Sequence, residues 1–197
     1  MNRIMRPSLM RLLCTLLFSA ALFYAQDKPI PDISAVYAEG KVNGNEYTNE
    51  YFGLTLLAGS GKFTEGGFVS SDGKRARLID VQANPDSWHD KFEIAVLADS
   101  LAANPQVHSP EQYVRAVHHQ FEKQGMESEQ TESPTEVAGL TFVRAVLKIN
   151  DGGYVHHRAI YTTFLKGYIL SLDVTAATPE KIEQVVAKTV QFKSKNP

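Results

Sequence analysis

Three consecutive runs decide the fold: LTFVRAVLKI (140–149), YVHHRAIYTTFL (154–165) and YILSLDVTA (168–176). Each is rich in β-branched and aromatic residues, and the gaps between them, Asp151-Gly152-Gly153 and Lys166-Gly167, have hairpin length. In the first run Thr141, Val143, Ala145, Leu147 and Ile149 alternate with Phe142, Arg144, Val146 and Lys148. In the last, Leu170, Leu172 and Val174 face inward while Ser171, Asp173 and Thr175 face outward. Thr178-Pro179-Glu180 then opens an amphipathic helix with the stripe Ile182, Val185, Val186 and Thr189. A β-meander closed by one helix is a complete packing unit.

Working back along the chain, Ala76–Ala83 and Phe92–Ala98 read as two more strands, the second with Phe92, Ile94, Val96 and Ala98 on one side. Ser109-Pro110 with Gln112 has the grammar of a helix start, and Val114, Val117 and Phe121 form its stripe up to Gly125. The polar stretch Glu127–Glu136, which contains Pro134, reads as a solvated loop. Asn43-Gly44 marks a tight turn ahead of the β-rich segment Glu46–Leu57. The expected class is α+β, an antiparallel sheet with helices packed on it, in a single domain over residues 41–193.

Residues 1–25 read as a signal peptide. Arg3, Arg6 and Arg11 precede the uncharged run Leu12–Tyr24, which is too short for a bilayer span of roughly 20 residues. Cleavage is expected near Ala25 or Ala21, leaving residues 26–40 as a linker or an arm against the domain. The expected location is periplasmic or secreted, with no membrane span in the mature form. The only cysteine, Cys14, leaves with the leader, so the fold must rest on its core. Loss of the three leader arginines leaves 17 basic against 22 acidic residues, a balance that argues against nucleic acid as a partner.

No catalytic motif is present. Gly59-Ser60-Gly61-Lys62 lacks both the following Ser/Thr (Phe63 stands there) and the first glycine of a phosphate loop (Leu56 stands there). The Gly-x-Ser-x-Gly elbow does not occur. Arg144, Arg158 and Tyr161 lie on neighbouring strands and are the residues most suited to an anionic ligand, with Trp88 in a loop as a further contact. A metal site would need one histidine from each of the pairs His118-His119 and His156-His157, foremost His118 in the helix and His157 in a strand, plus a carboxylate such as Asp90 beside His89, and no ligand spacing supports it. The chain therefore reads as non-enzymatic and without cofactor, a binding or assembly module for an envelope protein or complex. The alternative is a small-ligand or metal carrier of the cell envelope.

The segments Tyr47–Leu56, Val137–Arg144, Gly167–Leu172 and Thr189–Phe192 resemble, in that order, the opening, central and closing elements of the PsbP-like family. That family comprises extrinsic photosystem II subunits and their non-photosynthetic bacterial relatives. The resemblance covers about Gly40 to Phe192 and implies an α/β/α sandwich used for binding or assembly without enzymatic activity.

Overall fold

The computed structural model describes residues 32–64, 67–83 and 86–193, and of Asp151 it describes the backbone alone. The signal-peptide reading falls on residues outside this set. Twelve strands and three helices follow one another in the described chain. Seven strands make the path of a large antiparallel sheet, in the order β4 (Lys62–Thr64), β6 (Arg75–Ala83), β7 (Phe92–Ser100), β11 (Tyr168–Ala176), β10 (Tyr154–Leu165), β9 (Leu140–Asp151), β8 (Glu127–Val137). The short β5 (Phe68–Val69) pairs with β6 beyond the end of β4. The class is α+β, with helices on a mostly antiparallel sheet.

The meander forms as its turns dictate. Both central residues of each hairpin loop have positive φ, Gly152 at 57° and Gly153 at 91°, Lys166 at 51° and Gly167 at 86°. That is the primed turn whose twist matches the flanking strands. Lys166 tolerates the left-handed conformation because it is tied down: the Tyr51 hydroxyl donates to its carbonyl at 2.7 Å, and its Nζ donates to the Tyr51 carbonyl.

Sequence reading expected one sheet; the structure adds a second. β1 (Gly40–Asn43), β2 (Glu46–Asn49), β3 (Leu54–Leu57) and β12 (Val190–Phe192) form a four-stranded layer. Strands of four residues or fewer carry too little alternation to be told apart by pattern. Its buried residues Tyr47, Leu54, Leu56 and Val190 join one core with Ile94, Val96, Phe142, Leu170, Leu172 and Val174 from one face of the large sheet. Two helices belong to the same core. They are α1 (Ile33–Ala38), through Ile33 and Val36, and α3 (Pro179–Thr189), through Ile182, Val185 and Val186. Asp32 caps α1, its Oδ1 accepting from the Ser34 amide at 2.5 Å, so part of the range read as a linker or arm is a helix docked on the domain.

Glu127–Glu136 is a correction. It is not a loop but strand β8, paired along β9 at the rim of the sheet. An outer edge strand faces water on one side and admits a proline, which explains how so polar a segment pairs. Pro134 lies opposite Val143.

Burial pushes the phenols of Tyr47 and Tyr168 up to about 12, helped in Tyr168 by the nearby Tyr51 and Asp32. Free tyrosines ionise near 10, so between pH 10 and 12 the unfolded chain sheds protons that the folded chain keeps. Stability is full below pH 10 and falls as pH rises through that window, by roughly 2–3 kcal/mol for Tyr47 at its upper end and by less for Tyr168. Urea melts at stepped pH should show this decline, and Tyr47→Phe should make it shallower, leaving the part that Tyr168 contributes.

Candidate functional site

The second face of the large sheet is built from cross-strand rows fixed by register. Arg158, Thr175, Glu93 and Gln82 form one row; Ile160, Asp173, Ala95 and Asp80 form the next on that side. Thr162, Ser171, Leu97 and Arg77 follow. Ser171, Asp173 and Thr175 do face away from the core, as their alternation requires, but not into open water. Helix α2 (Pro110–Glu122) crosses this face.

The helix begins where the sequence puts it. The Ser109 hydroxyl accepts from the Gln112 amide at 3.2 Å, and the Gln112 side chain accepts in return from the His108 amide at 2.9 Å. Val114 packs with Val143 and Ala145 of β9, so α2 covers the β8–β10 half of the face. The β6–β7–β11 half remains as the floor of a cleft of about 500 Å³, walled by Tyr113, Val117, Gln120 and Phe121 of the helix.

Three arginines line this cleft, each gripping a carboxylate. Arg75 donates from Nε to Asp99 Oδ1 at 2.6 Å and from Nη2 to Asp99 Oδ2 at 3.2 Å. The Tyr113 hydroxyl donates to the same Oδ2 at 2.7 Å and so ties the first turn of α2 to β7. Arg77 donates to Asp80 at 2.6 Å and to Glu93 at 3.3 Å. Arg158 holds Asp173 bidentately, with Nε to Oδ1 at 2.7 Å and Nη2 to Oδ2, and its guanidinium stacks 4.1 Å from the centre of the Phe121 ring. Burial works against the Arg158 charge, but the hydrogen bonds and charge of Asp173 outweigh it and hold the guanidinium above the ordinary arginine range. The Tyr113 phenol is raised, first by burial and then by the Asp99 charge, so it stays a donor.

The residues expected to gather on an anion are divided between two faces. Arg144 and Tyr161 are register partners on the core side, with the Arg144 guanidinium 5.9 Å from the Tyr161 ring centre. Arg144 is spent there on Glu183 of α3 at 2.5 Å and Gln130 of β8 at 2.6 Å. Arg158 is three residues before Tyr161 and points to the opposite face, into the cleft. The same parity separates the histidines. His118 is buried in α2 on the cleft side, 3.9 Å from Glu132, whereas His157 is on the core side, 2.9 Å from Glu129 and 3.0 Å from the Ala177 carbonyl. No group of three or more metal-ligating side chains comes together among the described residues.

Trp88 belongs to an adjoining, smaller cavity of about 290 Å³ toward the other end of β6 and β7, which shares Glu93 and Thr175 with the cleft and has Lys91 and His156 in its wall. Its ring packs on Tyr154 at 5.5 Å and His156 at 5.7 Å. Sequence reasoning missed Arg75, Arg77, Glu93 and Asp99. The available signal was charge on the second face of strands whose first face is apolar: Arg75 and Arg77 on β6, Glu93 and Asp99 on β7, Asp173 on β11.

No protein-family model matches the chain, and no curated protein matches it. Among solved structures it is similar to a protein of Bacteroides thetaiotaomicron VPI-5482, at 10% identity and a TM-score of 0.40. That match covers 74% of this chain, which spans about half (47%) of the Bacteroides chain. It is also similar to LpqN, involved in cell envelope biogenesis of Mycobacterium tuberculosis, at 13% identity and a TM-score of 0.38, over 68% of this chain and 85% of that one.

Proposed function

We propose that this chain is a PsbP-like, non-enzymatic binding module, exported to the periplasm or beyond, whose contact surface is the cleft beside α2. The cleft itself carries the reading: a concave, polar surface left open where a helix covers half of a sheet face. The non-enzymatic part is supported by the state of its carboxylates. Asp80, Asp99 and Asp173 are each locked to an arginine, and Glu93, more loosely held at 3.3 Å, has no second free carboxylate beside it in the cleft, among the described residues, to share acid–base work. Export is supported by the basic, apolar and small-residue order of residues 1–25. The PsbP-like assignment is supported by the segments at 47–56, 137–144 and 167–172.

Hydroxyl-radical footprinting of the mature protein, with and without envelope extract, tests the surface. Tyr113 and Phe121 are expected to be protected, with Trp88 and Tyr154 unchanged. Protection confined to Trp88 and Tyr154, or none at all, would refute the assignment. Splitting the extract by mass separates two forms of the reading. Protection by the low-mass filtrate marks a small-ligand carrier, and protection by the retained fraction alone marks an assembly module.

A further inference from the structure

We infer that the cleft beside α2 receives a neutral polyhydroxylated ligand, a saccharide unit, in a seat made by Arg75, Arg77, Arg158, Ser171, Thr175 and Gln120. This rests on the cleft being the contact surface and adds the chemical class of what it holds.

Charge bookkeeping excludes the other classes. Three guanidiniums meet four carboxylates: Arg75 with Asp99, Arg77 with Asp80 and Glu93, Arg158 with Asp173. An anion entering the cleft therefore finds no surplus positive charge. A cation would find only Glu93 loosely held, on a single 3.3 Å contact; Asp99 and Asp173 are bound through two atoms and Asp80 at 2.6 Å, and no group of three or more metal-ligating side chains comes together among the described residues. A wholly apolar ligand would strip water from these polar groups and return no hydrogen bonds.

What the cleft does offer is an array of fixed donors. Each guanidinium is gripped through Nε and Nη2, which leaves Nη1 without a hydrogen bond among the described residues. The carboxylates hold the three forks in place and keep spare acceptor lone pairs of their own. Thr175 and Gln120 add groups that both donate and accept, and Ser171 adds its hydroxyl, already shared with Thr162 at 3.0 Å. A ligand whose every hydroxyl donates and accepts satisfies such a mixed surface, and its neutrality costs the ion pairs nothing. Leu97, Val117, Ile160 and Phe121 supply the apolar patch for the C–H face of a sugar ring.

The test is amide chemical-shift mapping of the mature protein with neutral disaccharides (trehalose, maltose, cellobiose), set against glucuronic acid and glucose 6-phosphate. At least one neutral sugar should shift the amides of Leu97, Ser171, Asp173, Thr175 and Phe121. Its affinity should change by less than about twofold between about 0.05 and 0.5 M salt. Gln120→Trp, at an exposed helix position on the rim, should abolish the shifts with the fold intact. Arg158→Lys keeps the charge beside Asp173 but loses the planar fork, and should weaken binding about tenfold or more. Longer oligomers of the binding sugar distinguish its source: constant affinity marks a free sugar, and rising affinity marks the end of a glycan chain. Salt-sensitive binding by the acid or the phosphate alone would overturn the neutral class and leave the cleft as the contact surface. Cleft amides unmoved by every neutral sugar would overturn the inference outright.

Discussion

Replacing Phe142 by alanine is expected to cost about 3–5 kcal/mol, the largest loss from any single substitution considered for this protein. Phe142 is fully buried on β9, on the core face of the large sheet. Its ring packs 6.0 Å from that of Phe192 on β12, the strand that closes the small sheet against β3. The side chain thus joins the two sheets as well as filling the core, and the cavity left behind would be bounded by two β-layers that cannot easily collapse. Phe192→Ala removes the other half of the contact from a partly exposed position and should cost less. Urea unfolding of the two variants checks the order; a larger loss at Phe192 would show that the small sheet is held mainly elsewhere.

The second large effect concerns the Arg158–Asp173 pair. Asp173→Ala should destabilise by about 2–3 kcal/mol, below the roughly 3–5 kcal/mol of a fully buried pair because both side chains keep some solvent contact. Their exposures are 26% and 18%. The penalty comes mostly from Arg158, which would remain charged on the Phe121 ring with its carboxylate gone. Denaturant melts measure it directly, and a neutral result would mean that water replaces the carboxylate at no cost.

How far the residues foretold this structure depends on the length of the pattern they carry. Strands β9, β10 and β11 run 9 to 12 residues and their turns are explicit, so the meander was legible. Helices α2 and α3 were legible from Ser109-Pro110 and Thr178-Pro179, whose hydroxyls do accept from Gln112 and Lys181. Of the small sheet only the Asn43-Gly44 turn and the β-rich run Glu46–Leu57 were legible; that these form a second sheet with β12 was not, because β1, β2, β3 and β12 have four residues or fewer. β8 was hidden by its composition, since an edge strand half in water needs little apolar content. The cleft was hidden for a topological reason. Arg75 and Arg77 come from β6, Glu93 and Asp99 from β7, and Asp173 from β11, and only the order β6–β7–β11 makes them neighbours. Pairing β11 beside β7, about seventy residues away in the chain, leaves no periodic trace in either strand. Arg144, Arg158 and Tyr161 were grouped by strand adjacency, and the two-residue period of β10 then put Arg158 on the other face.

An ion pair in a cleft has two explanations, support of the fold or recognition of a ligand, and they differ in what happens when both partners become apolar. Well-packed hydrophobic replacements for such a pair are often neutral or stabilising, so a pair kept only for stability has little reason to persist. The thermal midpoint of the double variant Arg158→Met/Asp173→Leu decides between them. If the pair serves recognition, the double variant melts at or above the temperature of the unmodified protein, although Asp173→Ala alone melts well below it. A double variant that falls as far as the single one would show that the pair holds the sheet together, and the cleft would lose its claim to be a binding site.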